Sequence, residues 1–180
     1  MGRGKPLLGS ANRVLNALAG NWTVSTLLNY SSGAPLGHPT SRTQPVGWNG
    51  PAAYANFNTP AAGFTRLFDP STFNPWTPND PGNRFFDPKA FSDAAPQQLG
   101  SSPVRFPQIR MMPFFNEDAV ISKRFAVTER FRFELRVEFF NLFNRHRFNA
   151  PSLNMNDPYF GNIWSANGNR TGQCGLRVEW

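Results

Sequence analysis

The sequence predicts an all-β fold, made of about four antiparallel C-terminal strands of a transmembrane β-barrel with one very long extracellular loop. Residues 130–139 alternate without exception between charged and apolar side chains, which is the period of a strand with two different faces. A membrane helix is excluded, because no apolar run approaches the roughly 18 residues it needs, whereas a barrel strand needs an apolar residue only at every second position. The chain also ends in an alternating strand that closes on the aromatic Trp180.

The composition limits the possible partners. The 180 residues carry a net charge of +7, which would suit a nucleic acid or another anionic surface. Binding of a single strand needs aromatic and basic groups on one face, but the alternation in 130–139 sends phenylalanine and arginine to opposite faces. We therefore predict no nucleic-acid partner. The single cysteine, Cys174, excludes an internal disulfide and a thiolate metal cluster.

Residues 1–20 are predicted to form a periplasmic connector with a short helix over 11–19. Basic residues followed by leucines imitate a signal peptide here, but Asn12, Arg13 and Asn16 interrupt its apolar core. We therefore expect the export signal to lie upstream of this chain, and the chain to be the C-terminal fragment of a longer protein.

The first strand is predicted over 21–32, because mostly apolar side chains occur at every second position from Trp22 onward and alternate with mostly polar ones. Residues 33–116 follow as a very long loop, since they hold 14 of the 17 prolines. They also hold 13 aromatic residues, which a solvated linker does not need, so we expect the loop to pack on itself or on neighbouring loops. Within it, 68–73 and 86–91 are predicted to form two similar turns, each with an Asp cap followed by Pro.

Three further strands are predicted over 117–125, 130–143 and 170–180. A tight turn at 126–129 joins the first two of these, and a second loop, 144–169, precedes the last. One face of the strand 130–143 is apolar, and the other carries charges predicted to face the lumen: Arg130, Arg132, Glu134, Arg136 and Glu138. We expect Glu134 and Glu138 to form ion pairs with neighbouring strands.

The lengths of the connections indicate an orientation. They run long, short, long, and outer-membrane barrels have short periplasmic turns and long external loops. Both long loops are therefore predicted to be extracellular, and the strands to contact lipid in the outer membrane of a Gram-negative cell. This orientation places four aromatic residues at one membrane interface, near the inner ends of four strands: Trp22, Phe125, Phe131 and Trp180. Lys123 lies near the same end on the lipid-facing side, and we expect its ammonium to extend toward headgroups.

The turn at 126–129 also constrains the register of the strands that it joins. A three-residue loop would place Asp118 opposite Arg136, whereas a five-residue loop would place it opposite Glu138. Because like charges opposite each other destabilise a sheet, we predict the three-residue register.

The most distinctive segment is Arg136-Val137-Glu138-Phe139-Phe140-Asn141-Leu142-Phe143-Asn144. Together with Gly2-Arg3-Gly4-Lys5, Gly20-Asn21-Trp22 and the run from Phe85 to Phe91, it resembles the C-terminal part of large TonB-dependent outer-membrane receptors. The closest group is the carboxypeptidase-regulatory-like type, and the resemblance covers nearly the whole chain. It implies a barrel of about 22 strands with a plugged lumen, active uptake of a scarce ligand, and three partners: the remainder of the barrel, the plug and TonB. The chain alone is not expected to transport, and the ligand stays open.

The last eight residues resemble the C-terminal signal by which the barrel-assembly machinery takes up its clients. That signal is polar, any, Gly, two of any, apolar, any, aromatic, and the matching residues are Gln173, Gly175, Val178 and Trp180. The resemblance implies the assembly machinery as a partner.

An enzyme is not predicted, because the sequence has no Gly-rich phosphate loop, no metal-ligand spacing and only His38 and His146 as imidazoles. We expect no catalytic residue, metal or cofactor. The alternative to a receptor is a soluble or secreted β-rich binding or interaction protein, in which the four strands and the large loop pack as a small sandwich. A further hypothesis is that Arg145-His146-Arg147 contacts lipopolysaccharide phosphates, against the simpler interpretation of a solvated loop end.

Overall fold

The computed structural model describes residues 18–45, 47, 53–128 and 130–180. Most of the predicted connector 1–20 and of its helix over 11–19 lies outside these residues; Leu18 and Ala19, which are described, are helical. Ten strands occur in the described part of the chain: β1 (Trp22–Ser31), β2 (Pro35–Gly37), β3 (Asn56–Phe57), β4 (Phe91–Ser92), β5 (Arg105–Arg110), β6 (Phe114–Ala126), β7 (Arg132–Phe140), β8 (Arg147–Phe148), β9 (Ala166–Asn167) and β10 (Thr171–Glu179). Four single-turn 3-10 helices lie between β3 and β4: Ala61–Gly63, Pro70–Thr72, Pro81–Asn83 and Pro88–Ala90.

The chain divides into two units, which are described separately. The sheet unit comprises the residues up to 30, 115–145 and 168–180, and the loop unit comprises 31–114 and 146–167.

The sheet unit contains one four-stranded sheet in the order β1-β6-β7-β10. β7 pairs antiparallel with β6 on one side and with β10 on the other. β1 is antiparallel to β6, because the Arg124 N–H donates to the Asn21 carbonyl (3.2 Å) at one end and Tyr30 contacts Phe115 at the other. The four strands lie at the four predicted positions, with ends that differ by one to three residues. The prediction of an all-β fold with antiparallel strands is confirmed.

The two faces of this sheet differ in chemistry, because strand pairing places apolar residues next to apolar ones on one face and charged residues next to charged ones on the other. On the apolar face, rows across β6, β7 and β10 are formed by Phe125, Phe133 and Val178 and by Ile121, Val137 and Cys174. On the charged face, one such row is formed by Arg124, Glu134 and Arg177. We term the end of the sheet at the β6–β7 turn the turn end, and the opposite end the loop end.

The predicted register between β6 and β7 is wrong. Arg136 lies opposite Ser122 rather than Asp118, and the five-residue alternative is not observed either. The turn does close around three residues, but its closing pair is Val127 and Phe131, whose N–H and carbonyl are 3.1 Å apart. One exposed charge pair contributes only about 0.2–1 kcal/mol. The observed register places Phe125 opposite Phe133 and Arg124 opposite Glu134, and aromatic and opposite-charge pairs of this kind each stabilise a sheet.

The loop unit has a core of its own, built mostly from phenylalanine. Its buried members come from both predicted loops and are Leu36, Ala55, Phe64, Phe68, Phe85, Phe86, Ala90, Phe91, Phe106, Ile109, Met155 and Ile163. The expectation that the aromatic residues pack on themselves and on neighbouring loops is therefore confirmed. Both predicted loops contain paired short strands and are not irregular chain alone: β2, β3, β4 and β5 lie in 33–116, and β8 and β9 lie in 144–169.

Phe86 lies at the centre of this core and is fully buried. Its ring centroid is 5.8, 5.4 and 5.5 Å from those of Phe64, Phe91 and Phe160, at the steep interplanar angles that aromatic pairs prefer. The Phe86 N–H donates to the carbonyl of Gly161 (3.4 Å), whose φ of +82° favours glycine. The core therefore joins the two loops through side chains and backbone together.

Replacing Phe86 by alanine is expected to lower the free energy of unfolding of the loop unit by about 3–5 kcal/mol, because the change leaves a cavity among packed rings. The control is Leu99→Ala, at a side chain that is 65% exposed, for which the expected change is about 0.5 kcal/mol or less. Urea unfolding followed by near-ultraviolet circular dichroism measures both. Equal effects of the two substitutions would contradict the assigned core.

Candidate functional site

The four aromatic residues predicted at one membrane interface lie at the turn end of the sheet unit. They are Trp22, Phe125, Phe131 and Trp180, with exposed fractions of 50%, 41%, 48% and 87%. Trp22 and Phe125 meet around the ammonium of Lys123, which is 4.9 and 5.4 Å from their ring centroids. The contact of these rings with a membrane interface stays a prediction.

Lys123 does not extend away from the sheet as expected. Its side chain is 3% exposed, and its ammonium donates to the carbonyls of Leu18 (2.9 Å) and Gly20 (2.6 Å). An ammonium that is withdrawn from water needs such acceptors, and the two flanking rings add cation–π attraction. These hydrogen bonds of Lys123 therefore link the residues just before β1 to strand β6.

The predicted lumen-facing charges follow the expected alternation along β7. Arg132, Glu134, Arg136 and Glu138 lie in the strand, and Arg130 lies in the preceding turn. Glu134 forms the expected cross-strand ion pair, with Arg124 (3.2 Å). Two other ion pairs run along a single strand, Arg136 with Glu138 and Arg177 with Glu179. Long side chains on an exposed face take either kind of partner at similar free energy, so the alternation alone did not determine the pairing.

The residues of the predicted assembly signal lie on and just after β10. The Gln173 amide donates to the Glu138 carboxylate on the charged face. Apart from the residues adjacent in sequence, no heavy atom of the described residues lies within 4 Å of the position that a Cβ on Gly175 would occupy. Val178 is partly exposed on the apolar face, and Trp180 is almost fully exposed. The terminal indole is thus open to another protein, and recognition by the assembly machinery stays a prediction.

A charged cluster lies on the apolar face at the loop end, and it was not predicted from the sequence. The Glu117 side chain is 2% exposed, and the Arg145 Nε–H donates to both of its carboxylate oxygens (2.9 and 2.8 Å). The Tyr30 hydroxyl donates to the same carboxylate. The rings of Phe115 and Phe143 flank the guanidinium, at 5.6 and 5.5 Å. These partners offset the cost of withdrawing a carboxylate from water.

This cluster bears on the hypothesis that Arg145-His146-Arg147 contacts phosphates. Arg145 is bound to Glu117, so its charge is already neutralised by a partner 28 residues away in the chain. Strand parity in the sequence shows that Glu117 falls on the apolar face, but parity alone does not identify the residue that neutralises it.

Asn141 forms the turn that brings Arg145 to this cluster. Its φ of +53° is left-handed, a conformation that asparagine adopts more readily than most residues, and it is 3% exposed. Its backbone N–H donates to Asp118 (2.9 Å), and its side-chain oxygen accepts the Arg145 N–H (2.9 Å). Its side-chain amide donates to the carbonyls of Arg145 (3.0 Å) and Gly168. The segment 136–144, which carries the family resemblance, therefore has a structural role: it ends β7 and positions Arg145.

Asp-Pro turns order part of the loop unit. Both predicted turns are present, since Asp69 and Asp87 each accept the N–H two residues on, at 2.9 and 3.0 Å. Asp80 caps a third such turn, which the sequence argument missed because its flanking residues differ. Hydrogen bonds from the N–H and hydroxyl of Ser71 hold the pKa of Asp69 below its usual range. The cap therefore stabilises the turn at neutral pH, and this contribution is lost only as the pH falls through the lowered pKa.

Within the described ranges, no helix has the length and apolar character to cross a membrane. The same residues include no group of three or more His, Cys, Asp or Glu side chains placed to hold a metal ion.

Comparison with known proteins identifies the family to which the chain belongs. A family model described as an outer membrane beta barrel domain matches residues 1–173. No curated protein and no solved structure matches the chain. Because the model matches nearly the whole chain, the chain belongs to this family of outer membrane β-barrel domains, and it is an outer-membrane protein.

Replacing Glu117 by glutamine is expected to destabilise the sheet unit, because the buried carboxylate accepts charge-assisted hydrogen bonds from Arg145 that a neutral amide does not replace. The matched control is Glu134→Gln, which removes one charge from the exposed pair with Arg124. We expect the loss of stability for Glu117→Gln to be about three times larger or more. Urea midpoints of the refolded chain in detergent micelles measure both, and equal shifts would contradict the assigned role of the pair.

Proposed function

We propose that this chain is the C-terminal part of the barrel of a TonB-dependent receptor, which actively takes up an unidentified ligand across the outer membrane. The observation that carries the proposal is the loop unit, in which two connections between sheet strands share one packed core. Connections of this length with their own ordered structure are usually functional. The resemblance of 136–144 to such receptors supports the finer assignment. The proposed role is binding and transport, with no catalytic residue, metal or cofactor.

The apolar face of the sheet unit is proposed to contact outer-membrane lipid. Val24, Leu28 and Leu176 are 65%, 58% and 66% exposed on it, and a continuous apolar surface of this kind is rare on a protein in water. In the proposed orientation the aromatic residues of the turn end lie at the periplasmic interface, and the loop unit is extracellular. Tyr30 and Phe143, at the loop end, would then lie at the outer interface.

The remaining partners follow from the edges of the sheet. β1 and β10 are the two outer strands of the four-stranded sheet, and a closed barrel leaves no unpaired edge. We propose that the remainder of the barrel pairs with both edges, that a plug packs against the charged face, and that TonB acts on the plug. The chain by itself is then not competent for transport.

An immunoblot against the loop unit tests this proposal in native cells. The expected result is an outer-membrane band much larger than the 20.2 kDa of this chain, because the proposal requires further strands and a plug in the same polypeptide. Formaldehyde treatment of energised cells is expected to cross-link that band to TonB.

Two results would contradict the proposal in different ways. A 20.2 kDa band found only in the soluble fraction would support the alternative of a soluble or secreted β-rich interaction protein. A large outer-membrane band that never cross-links to TonB would retain the barrel and reject the receptor.

Replacing Trp180 by alanine tests the proposed contact with the barrel-assembly machinery. We expect the amount of folded protein in the outer membrane to fall about tenfold or more, since loss of an anchoring aromatic side chain commonly costs 2 kcal/mol or more of binding free energy. Trp76→Ala is the matched control, because Trp76 is equally exposed but lies in the loop unit. Heat-modifiable mobility of the outer-membrane fraction measures both, and equal levels of the two variants would argue against a C-terminal signal.

A further inference from the structure

The loop unit contains a cleft of about 340 Å³, which is within the size range of small-molecule sites. Its lining residues are Pro70, Phe73, Pro75, His146, Phe148 and Ala166. They come from one Asp-capped turn, the segment after it, the residue before β8, and the paired strands β8 and β9. Both predicted loops therefore contribute to one site.

The floor of the cleft is continuous with the phenylalanine core. Phe73 and Phe148 contact each other edge to face, with ring centroids 5.1 Å apart. Both rings also contact Phe68, which is buried, at 6.1 and 5.0 Å. Ala166 lies opposite Phe148 in the β8–β9 pair. Because these positions are fixed by the core and by strand pairing, the cleft exists before any ligand binds.

The segment 74–80, which includes the lining residue Pro75, is held rigidly. The amide of Asn83, which is fully buried, donates to the carbonyls of Asn74 (2.8 Å) and Thr77 (3.0 Å). This segment presents Trp76 with 90% of its surface exposed. Trp76 does not line the cleft, whereas its neighbour Pro75 is held there by the hydrogen-bonded segment.

We propose that this cleft binds the planar aromatic ring system of a small ligand. The proposal rests on the proposed uptake function and names the class of ligand for it. Five of the six lining side chains are apolar. Two of them are phenylalanine rings, against which another aromatic ring packs in a preferred geometry, and two are proline rings, whose saturated carbons add apolar contact area. Among the lining side chains only His146 can form a hydrogen bond, so a saccharide would lose water from several hydroxyl groups without a matching set of side-chain partners.

Calorimetric titration of the full chain in amphipol with sodium 2-naphthoate tests the proposal, with maltotriose as the polar comparison. We expect 2-naphthoate to bind and maltotriose not to bind. Ala166→Trp should weaken binding of 2-naphthoate about tenfold or more, which is about 1.4 kcal/mol of binding free energy, because the indole would occupy the space that the ligand needs. Ala166→Val adds a smaller side chain and should give an intermediate loss of affinity for 2-naphthoate. It keeps the test valid if the Trp variant does not fold.

Ala61→Trp is the matched control, because Ala61 is an exposed alanine of the same unit that does not line the cleft. Its affinity for 2-naphthoate should equal that of the unchanged chain. The proposal is overturned by absence of 2-naphthoate binding, by preferential binding of maltotriose, or by equal affinities of the folded Ala166 and Ala61 variants. Failure of TonB cross-linking would leave all of these results unchanged, so the two proposals fail separately.

Discussion

The register of β7 between β6 and β10 is the constraint on which the rest of the sheet unit depends. It aligns apolar rows such as Phe125, Phe133 and Val178 on one face, and opposite charges such as Arg124 and Glu134 on the other. A slip by one residue would send every side chain of a strand to the wrong face. Because the family places this chain in the outer membrane, an apolar face without protein cover is the expected form of a barrel wall, where each strand needs apolar residues only at alternate positions.

The loop end of the sheet shows how polar residues are accommodated on such a wall. Glu117 falls on the apolar face, but Arg145 and Tyr30 satisfy its carboxylate there. Arg145 reaches that place because Asn141 adopts a left-handed backbone and binds the chain on both sides of the turn. The ion pair and the turn thus depend on each other. A carboxylate at this position without the turn would be withdrawn from water without a charged partner, which is strongly unfavourable.

The loop unit solves a different problem, which is how a chain rich in proline and glycine becomes ordered. Short 3-10 turns capped by Asp69, Asp80 and Asp87 satisfy backbone N–H groups locally, and proline fixes the backbone angle at the start of each turn. The loss of conformational entropy on folding is then offset mainly by burial of phenylalanine, whose large rings supply apolar area with few rotatable bonds. Both long connections contribute rings to this core, so neither connection is complete without the other.

The sequence by itself determined the class of fold, the positions of the four sheet strands and the face that each side chain of β7 occupies, because alternation with period two is a local property of a strand. It also indicated that the aromatic residues of the long connection are packed. Only the tertiary structure decided the register of β6 against β7, the carbonyl partners of Lys123, the pairing of Glu117 with Arg145 and the third Asp-Pro turn at Asp80. The register and the pairings depend on residues that are distant in the chain and are decided by small differences in free energy, and the third turn has different flanking residues from the two that the sequence revealed. Local periodicity carries no information about either kind of feature.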